Sequence, residues 1–176
     1  MRATAHRFRL VLLLVALAAC HEEPDSLEAP LTMELTSVFA DGEPIPAVYT
    51  CDGDESSPPL RIEGIPEDAR SLVLVVDDPD APGGTFDHWV AYDIEPVGEI
   101  PEDVGEIGVS GRNSAGELGY VGPCPPSGIH RYFFRVYALD TRLGLEEGAT
   151  KSQVLDAARD HVLAEATLMG TYSRDG

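Results

Sequence analysis

The sequence predicts a mainly β domain, and three observations carry that expectation. The 14 prolines and 17 glycines are scattered along the chain and cut it into short segments. Three strand-length runs are almost wholly apolar, Val-rich or aromatic. Only one segment carries a complete helix-start signal. A chain of 176 residues holds one domain of this kind plus a short targeting segment.

The elements follow in order. Residues 31–39 alternate imperfectly between apolar and polar and predict a first strand, ended by Asp41-Gly42 and by Pro44 and Pro46. Residues 71–77 (Ser-Leu-Val-Leu-Val-Val-Asp) form a continuous apolar run, the pattern of a strand covered on both faces. Residues 88–94, His-Trp-Val-Ala-Tyr-Asp-Ile, make a second central strand. Residues 131–139 make a third, with Tyr132, Phe134, Val136 and Ala138 on one face and Phe133, Arg135, Tyr137 and Leu139 on the other. Thr150-Lys151-Ser152-Gln153 has the form of a capping box. Val154, Leu155, Ala158, Val162 and Ala166 then recur at helical spacing, so the spacing predicts a helix that Gly170 closes.

The first residues read as an address rather than as fold. Arg2, Arg7 and Arg9 precede an apolar run over residues 10–19, which is shorter than the ~20 residues a spanning helix needs and fits a signal peptide. Leu17-Ala18-Ala19-Cys20 has the form of a lipobox. Residues 1–19 are therefore expected to be a lipoprotein signal peptide and Cys20 the lipidated residue, the alternative being an ordinary secretory signal with an incidental cysteine. Residues 20–30 form an acidic tether, and residues 31–176 the domain. His21 carries no inner-membrane retention signal, so the expected place is the cell envelope, anchored on the periplasmic side of the outer membrane.

Without the three signal arginines, 9 Lys and Arg stand against 31 Asp and Glu. So negative a chain repels nucleic acid, which is excluded as a partner. With Cys20 lipidated, Cys51 and Cys124 remain in an oxidising compartment. An even remainder there favours a disulfide, and two unrelated buried thiols are the alternative.

Three polar, rigid segments border the central strands. Asp77-Asp78-Pro79-Asp80-Ala81-Pro82 follows the first, Asp87-His88-Trp89 opens the second, and a Gly/Pro-rich loop over residues 119–129 leads into His130 and Tyr132 on the third. Each alone has a plain explanation: a turn, a core histidine, a rigid connector. Together they suggest a pocket.

Asp78-Pro79-Asp80-Ala81-Pro82, His88-Trp89, Gly122-Pro123-Cys124-Pro125-Pro126-Ser127-Gly128 and His130-Arg131-Tyr132 resemble, in order and spacing, the signature of the phosphatidylethanolamine-binding proteins, also called Raf kinase inhibitor-like proteins. Tyr49-Thr50-Cys51-Asp52-Gly53, Ser57-Pro58-Pro59-Leu60 and Leu168-Met169-Gly170-Thr171-Tyr172 resemble segments of the bacterial and archaeal branch. The resemblance implies an antiparallel β-sandwich with a few peripheral helices, one of them near the C-terminus. It implies a pocket for phosphate, a phospholipid head group or a carboxylate, falling on Asp78, His88, Pro126, His130 and Tyr132. Ala81, Pro82, Gly122 and Cys124 would supply walls and backbone donors. It also implies a cis proline, for which Pro82 is the candidate. Asp78 would orient an imidazole or meet a ligand's ammonium, and Tyr132 would donate through its hydroxyl.

The expected function is non-enzymatic binding of small anionic groups, without cofactor or metal. The alternatives are an inhibitor or protein-interaction module acting on an envelope protease or another partner, and a metal-dependent hydrolase. No His-x-x-x-His spacing and no Gly-x-Ser-x-Gly elbow is present.

Overall fold

The structure is a computed structural model in which residues 32–174 are described; the signal segment, Cys20 and the tether lie outside them. The elements are β1 (Glu34–Thr36), β2 (Leu60–Glu63), β3 (Ser71–Asp78), β4 (Phe86–Ile94), β5 (Glu99–Ile100), β6 (Val109–Ser110), β7 (His130–Leu139), α1 (Lys151–Ala158) and β8 (Val162–Tyr172). They form a three-stranded sheet, β1-β2-β5, and a five-stranded sheet, β6-β4-β3-β7-β8. Every strand pair is antiparallel.

The central strand β3 is buried at all eight positions. One face, Leu72, Leu74 and Val76, packs into the main core with Leu35, Ile62, Trp89 and Phe134 from both sheets. The other, Val73 and Val75, packs with Val90, Tyr92, Val154 and Ala158 beneath α1. Burial on both faces is why this run reads as unbroken hydrocarbon. In β7, Tyr132, Phe134, Val136 and Ala138 are all fully buried on the face the alternation assigns them.

The helix begins as the sequence predicts. The Thr150 side chain accepts from Gln153 N–H, and the Gln153 side chain accepts from Thr150 N–H at 2.9 Å. It is much shorter than predicted, ending at Ala158. Residues 162–172 are strand β8, paired with β7 from Leu139↔Val162 to His130↔Tyr172. A helix would have left that edge of the large sheet without ladder partners, so tertiary pairing overrides the helical spacing. Ala166, Leu168 and Gly170 are buried in alternation. Gly170 therefore serves close packing rather than a helix end: a Cβ there would lie 2.5 Å from Ile45 Cγ1 and 2.8 Å from Phe39 Cε2.

One irregularity matters for function. Val76 pairs with Trp89 and Asp77 with Asp87, so His88 is an extra residue on β4 opposite that step of β3. A bulge of this kind bends the strand and re-aims a side chain. Simple alternation would put His88 with Val90, under the helix. Instead its ring lies edge-on to Tyr132, 5.2 Å between centroids, on the face that carries Trp89 and the main core.

Candidate functional site

The end of the large sheet where β3 finishes and β4 and β7 begin holds a cavity of about 240 Å³. Asp78, His88 and His130 line it, and their exposures of only 3%, 5% and 6% place them at its floor. They come from three adjacent strands. Ala81, Pro82, Gly122, Cys124 and Pro126 complete the wall from two loops, joined by Cys51, Glu55, Phe86, Val121 and Pro125.

Each floor group is fixed by a specific bond. His130 Nδ1 donates to Asp78 Oδ2 at 2.7 Å, and Asp78 Oδ1 accepts Asp80 N–H at 2.8 Å. His88 Nδ1 lies 2.8 Å from Val121 O. A carbonyl only accepts, so that nitrogen carries the proton. Both rings therefore keep Nε2 out of these bonds. Burial pushes the His88 imidazole below its ordinary range, against the opposing pull of the Val121 carbonyl and of Asp78, Asp87 and Asp77.

The walls are tied in turn. Cys51 and Cys124 form a disulfide with Cα atoms 5.4 Å apart. Beside it Cys51 N–H donates to Pro123 O at 3.1 Å, and Val121 N–H to His88 O at 2.9 Å. Asp80 lies just outside the lining and holds Arg131 through Nε and Nη2 at 2.8 and 2.7 Å. That guanidinium keeps the Asp80 carboxyl at about 2, well below the usual carboxylate range.

Two expectations need correction. No peptide bond in the described residues is cis, so Pro82 is trans. The Asp78–Gly84 turn is held by hydrogen bonds instead, from Asp80 N–H to Asp78 and from Gly84 N–H to Ala81 O at 3.1 Å. Tyr132 does not line the cavity. Two positions along β7 from His130, it lies one layer deeper, fully buried behind His88, and its hydroxyl has no hydrogen-bond partner among the described residues. Burial pushes that hydroxyl's pKa upward, so it stays protonated.

Glu55, Phe86, Val121, Cys51 and Pro125 were not assigned to the pocket from sequence. Cys51 belongs to, and Glu55 lies between, the quoted upstream segments. Phe86 stands two positions before His88, where a strand returns to the same face. Among the described residues no group of three His, Cys, Asp or Glu side chains is arranged to hold a metal ion.

The fold and this site define a class: a two-sheet β protein with a small buried His/Asp cavity at the ends of its central strands. Residues 35–173 match the family described as phosphatidylethanolamine-binding protein. The chain belongs to that family. It is 53% identical over 146 residues to a UPF0098 protein of Methanothermobacter thermautotrophicus, covering 79% of this chain and 97% of that one. A UPF0098 protein of Archaeoglobus fulgidus is 45% identical over 172 residues, 94% of this chain, which spans only 58% of that relative's length. The crystal structure of a phosphatidylethanolamine-binding protein homolog from Chlamydia trachomatis superposes with a TM-score of 0.79 at 48% identity, covering 82% of this chain and 99% of that one.

Proposed function

We propose that the chain is a non-enzymatic binding protein whose cavity takes a small anionic group: phosphate, a phospholipid head group or a carboxylate. We further propose that Cys20 anchors it by lipid to the cell envelope, on the periplasmic side of the outer membrane. One observation carries the binding reading: His88 and His130, forty-two positions apart, meet at one cavity floor with each Nδ1 engaged elsewhere. A proton taken up at Nε2 as the anion enters, against the burial that depresses His88, gives a charge-assisted Nε2–H bond to the anion's oxygen, and two of them converging give an oriented one. Asp78 holds the His130 ring in place for that bond.

The test is ligand-dependent thermal unfolding of the purified chain. Millimolar phosphate, phosphoethanolamine or a small carboxylate should raise the melting temperature; at a hundredfold excess over Kd the gain is about 2.7 kcal/mol. His130→Ala should abolish the rise. An unchanged melting temperature with every one of these anions would sink the reading.

A further inference from the structure

Behind the cavity, on the helix side of the large sheet, three charged groups stand where each alone is unfavourable. Asp77 and Asp87 are direct cross-strand partners, and like charges opposite one another destabilise a strand pair. Their side chains are only 10% and 21% exposed, so water and salt screen the repulsion weakly. Lys151 occupies the first position of α1, where the helix dipole disfavours a cation. The three resolve one another: Lys151 Nζ reaches Asp77 Oδ2 at 3.1 Å and also contacts Asp87 Oδ1. Arg135 holds the other oxygen of Asp77. Among the described residues Lys151 is the only cation on Asp87, whose Oδ1 is buried and accepts no hydrogen bond. Burial draws the lysine's pKa down, the two carboxylates draw it further up, and the ammonium stays charged.

This clasp sits on the step where β4 carries its extra residue. Asp87 O and His88 O, successive in the chain, both accept from loop residues rather than from β3, Ser114 N–H and Val121 N–H at 2.9 Å each. A regular strand turns successive carbonyls to opposite sides. The bulge leaves Asp87 on the helix side and His88 on the cavity side, its ring against Tyr132. Without it, strict alternation would exchange the two side chains between the faces. The contact of Lys151 with Asp87 therefore exists only in the arrangement that puts His88 in the cavity.

We propose that Lys151 is a positioning residue for a cavity it does not touch: by holding Asp87 on the helix side against Asp77, it fixes the bulge that presents the His88 imidazole. This deepens the anion-binding reading above, on which its functional meaning rests, yet the place of His88 can be measured with no ligand present. Asp77 is dispensable to the bulge while Lys151 is there. It becomes a source of repulsion only when the ammonium is removed.

NMR of the imidazoles in the full chain tests this. In the wild type His88 should show a single Nδ1-protonated tautomer, from its bond to Val121 O, and ring-to-ring nuclear Overhauser contacts with Tyr132. Lys151→Met removes the charge and keeps a long side chain. It should lose both His88 signatures and weaken phosphate binding about tenfold, the contribution of one charge-assisted hydrogen bond. The His130 ring, held by Asp78, should keep its tautomer. Lys151→Arg should keep the His88 signatures. Asp77→Asn combined with Lys151→Met should regain them, because the facing pair then holds one charge and an amide donor. A general loss of stability moves neither signature in the folded protein. Lys151→Gln serves the same comparison should Lys151→Met fold poorly.

An unchanged His88 in the folded, uncharged variant overturns the proposal, since the backbone bonds to Ser114 and Val121 would then hold the bulge alone. Signatures lost in that variant and regained in neither Lys151→Arg nor the double variant overturn it too, since packing rather than charge would be at work. A wild type that binds no phosphate, while the His88 signatures respond as described, supports the positioning role and fails the anion-binding reading, so the two failures are distinguishable.

Discussion

Asp77 and Asp78 are neighbours at the end of β3, both buried, on opposite faces of one sheet. Asp77 faces the helix side and is held by fixed cations: Arg135 Nη1 at 2.7 Å and Lys151 Nζ at 3.1 Å, the latter shared with Asp87. Asp78 faces the cavity and holds His130. On the helix side the partners are fixed cations, and the result is an ionic clasp between α1, β3, β4 and β7. On the cavity side the partner is a ring with a second nitrogen to offer. The same residue type at the same strand end makes a structural joint where its partners are fixed cations outside the cavity, and a cavity floor where its partner is an imidazole that lines it.

The strongest test of that contrast is the cavity wall. Replacing Cys51 and Cys124 together by serine releases a closure of 73 residues and should cost roughly 4 kcal/mol in denaturant unfolding. A loss under about 1 kcal/mol would show that hydrogen bonds alone hold this wall as firmly as the ion pairs hold the helix.

Next comes the pair itself. Asp78→Ala leaves a buried imidazole without its orienting acceptor and should cost about 3 kcal/mol and remove the anion-induced rise in melting temperature. Asp77→Ala should cost about 2 kcal/mol and leave that rise intact, because Lys151 and Arg135 are part-exposed and can turn to water. Loss of anion binding in Asp77→Ala would erase the distinction between the two faces.

The smallest effect is one of pH. Burial holds the folded His88 value below the ordinary one of about 6.5. Between those two values the unfolded chain binds more protons, so this contribution to stability is present above about pH 6.5 and is lost as pH falls through the folded value. The unliganded protein should lose stability on acidification across that window, and His88→Gln should flatten the slope. An equal slope in the variant would mean that His88 does not titrate there.

The three central strands were legible because each is long, apolar and bounded by turn residues, and a strand buried on both faces reads as one continuous apolar run. β5 and β6 are two residues each and are defined by their neighbours rather than by any pattern of their own. β8 was misread because Val162 and Ala166 fall at helical spacing from Ala158; only the ten-residue ladder offered by β7 decides the matter. Within the site, Asp78, His88 and His130 stood out as polar groups at the ends of apolar runs. Glu55 did not, since its position depends on a backbone φ of 58° and on direct contact with Gly122, where a Cβ would lie 2.9 Å from Glu55 Cγ. Tyr132 stood out and yet is absent from the cavity lining: its place in the motif is conspicuous, but it is fully buried with its ring edge-on to that of His88.

The extra residue in β4 gives the site a dependence on counting. Shortening the 86–89 segment by one residue would preserve nearly all of its chemistry and still return position 88 to strict alternation, carrying its imidazole under the helix and away from Asp78 and His130. The make-up of the cavity floor is written partly in chain length, so among related chains a one-residue gap at this point would change that floor more than a substitution in the wall.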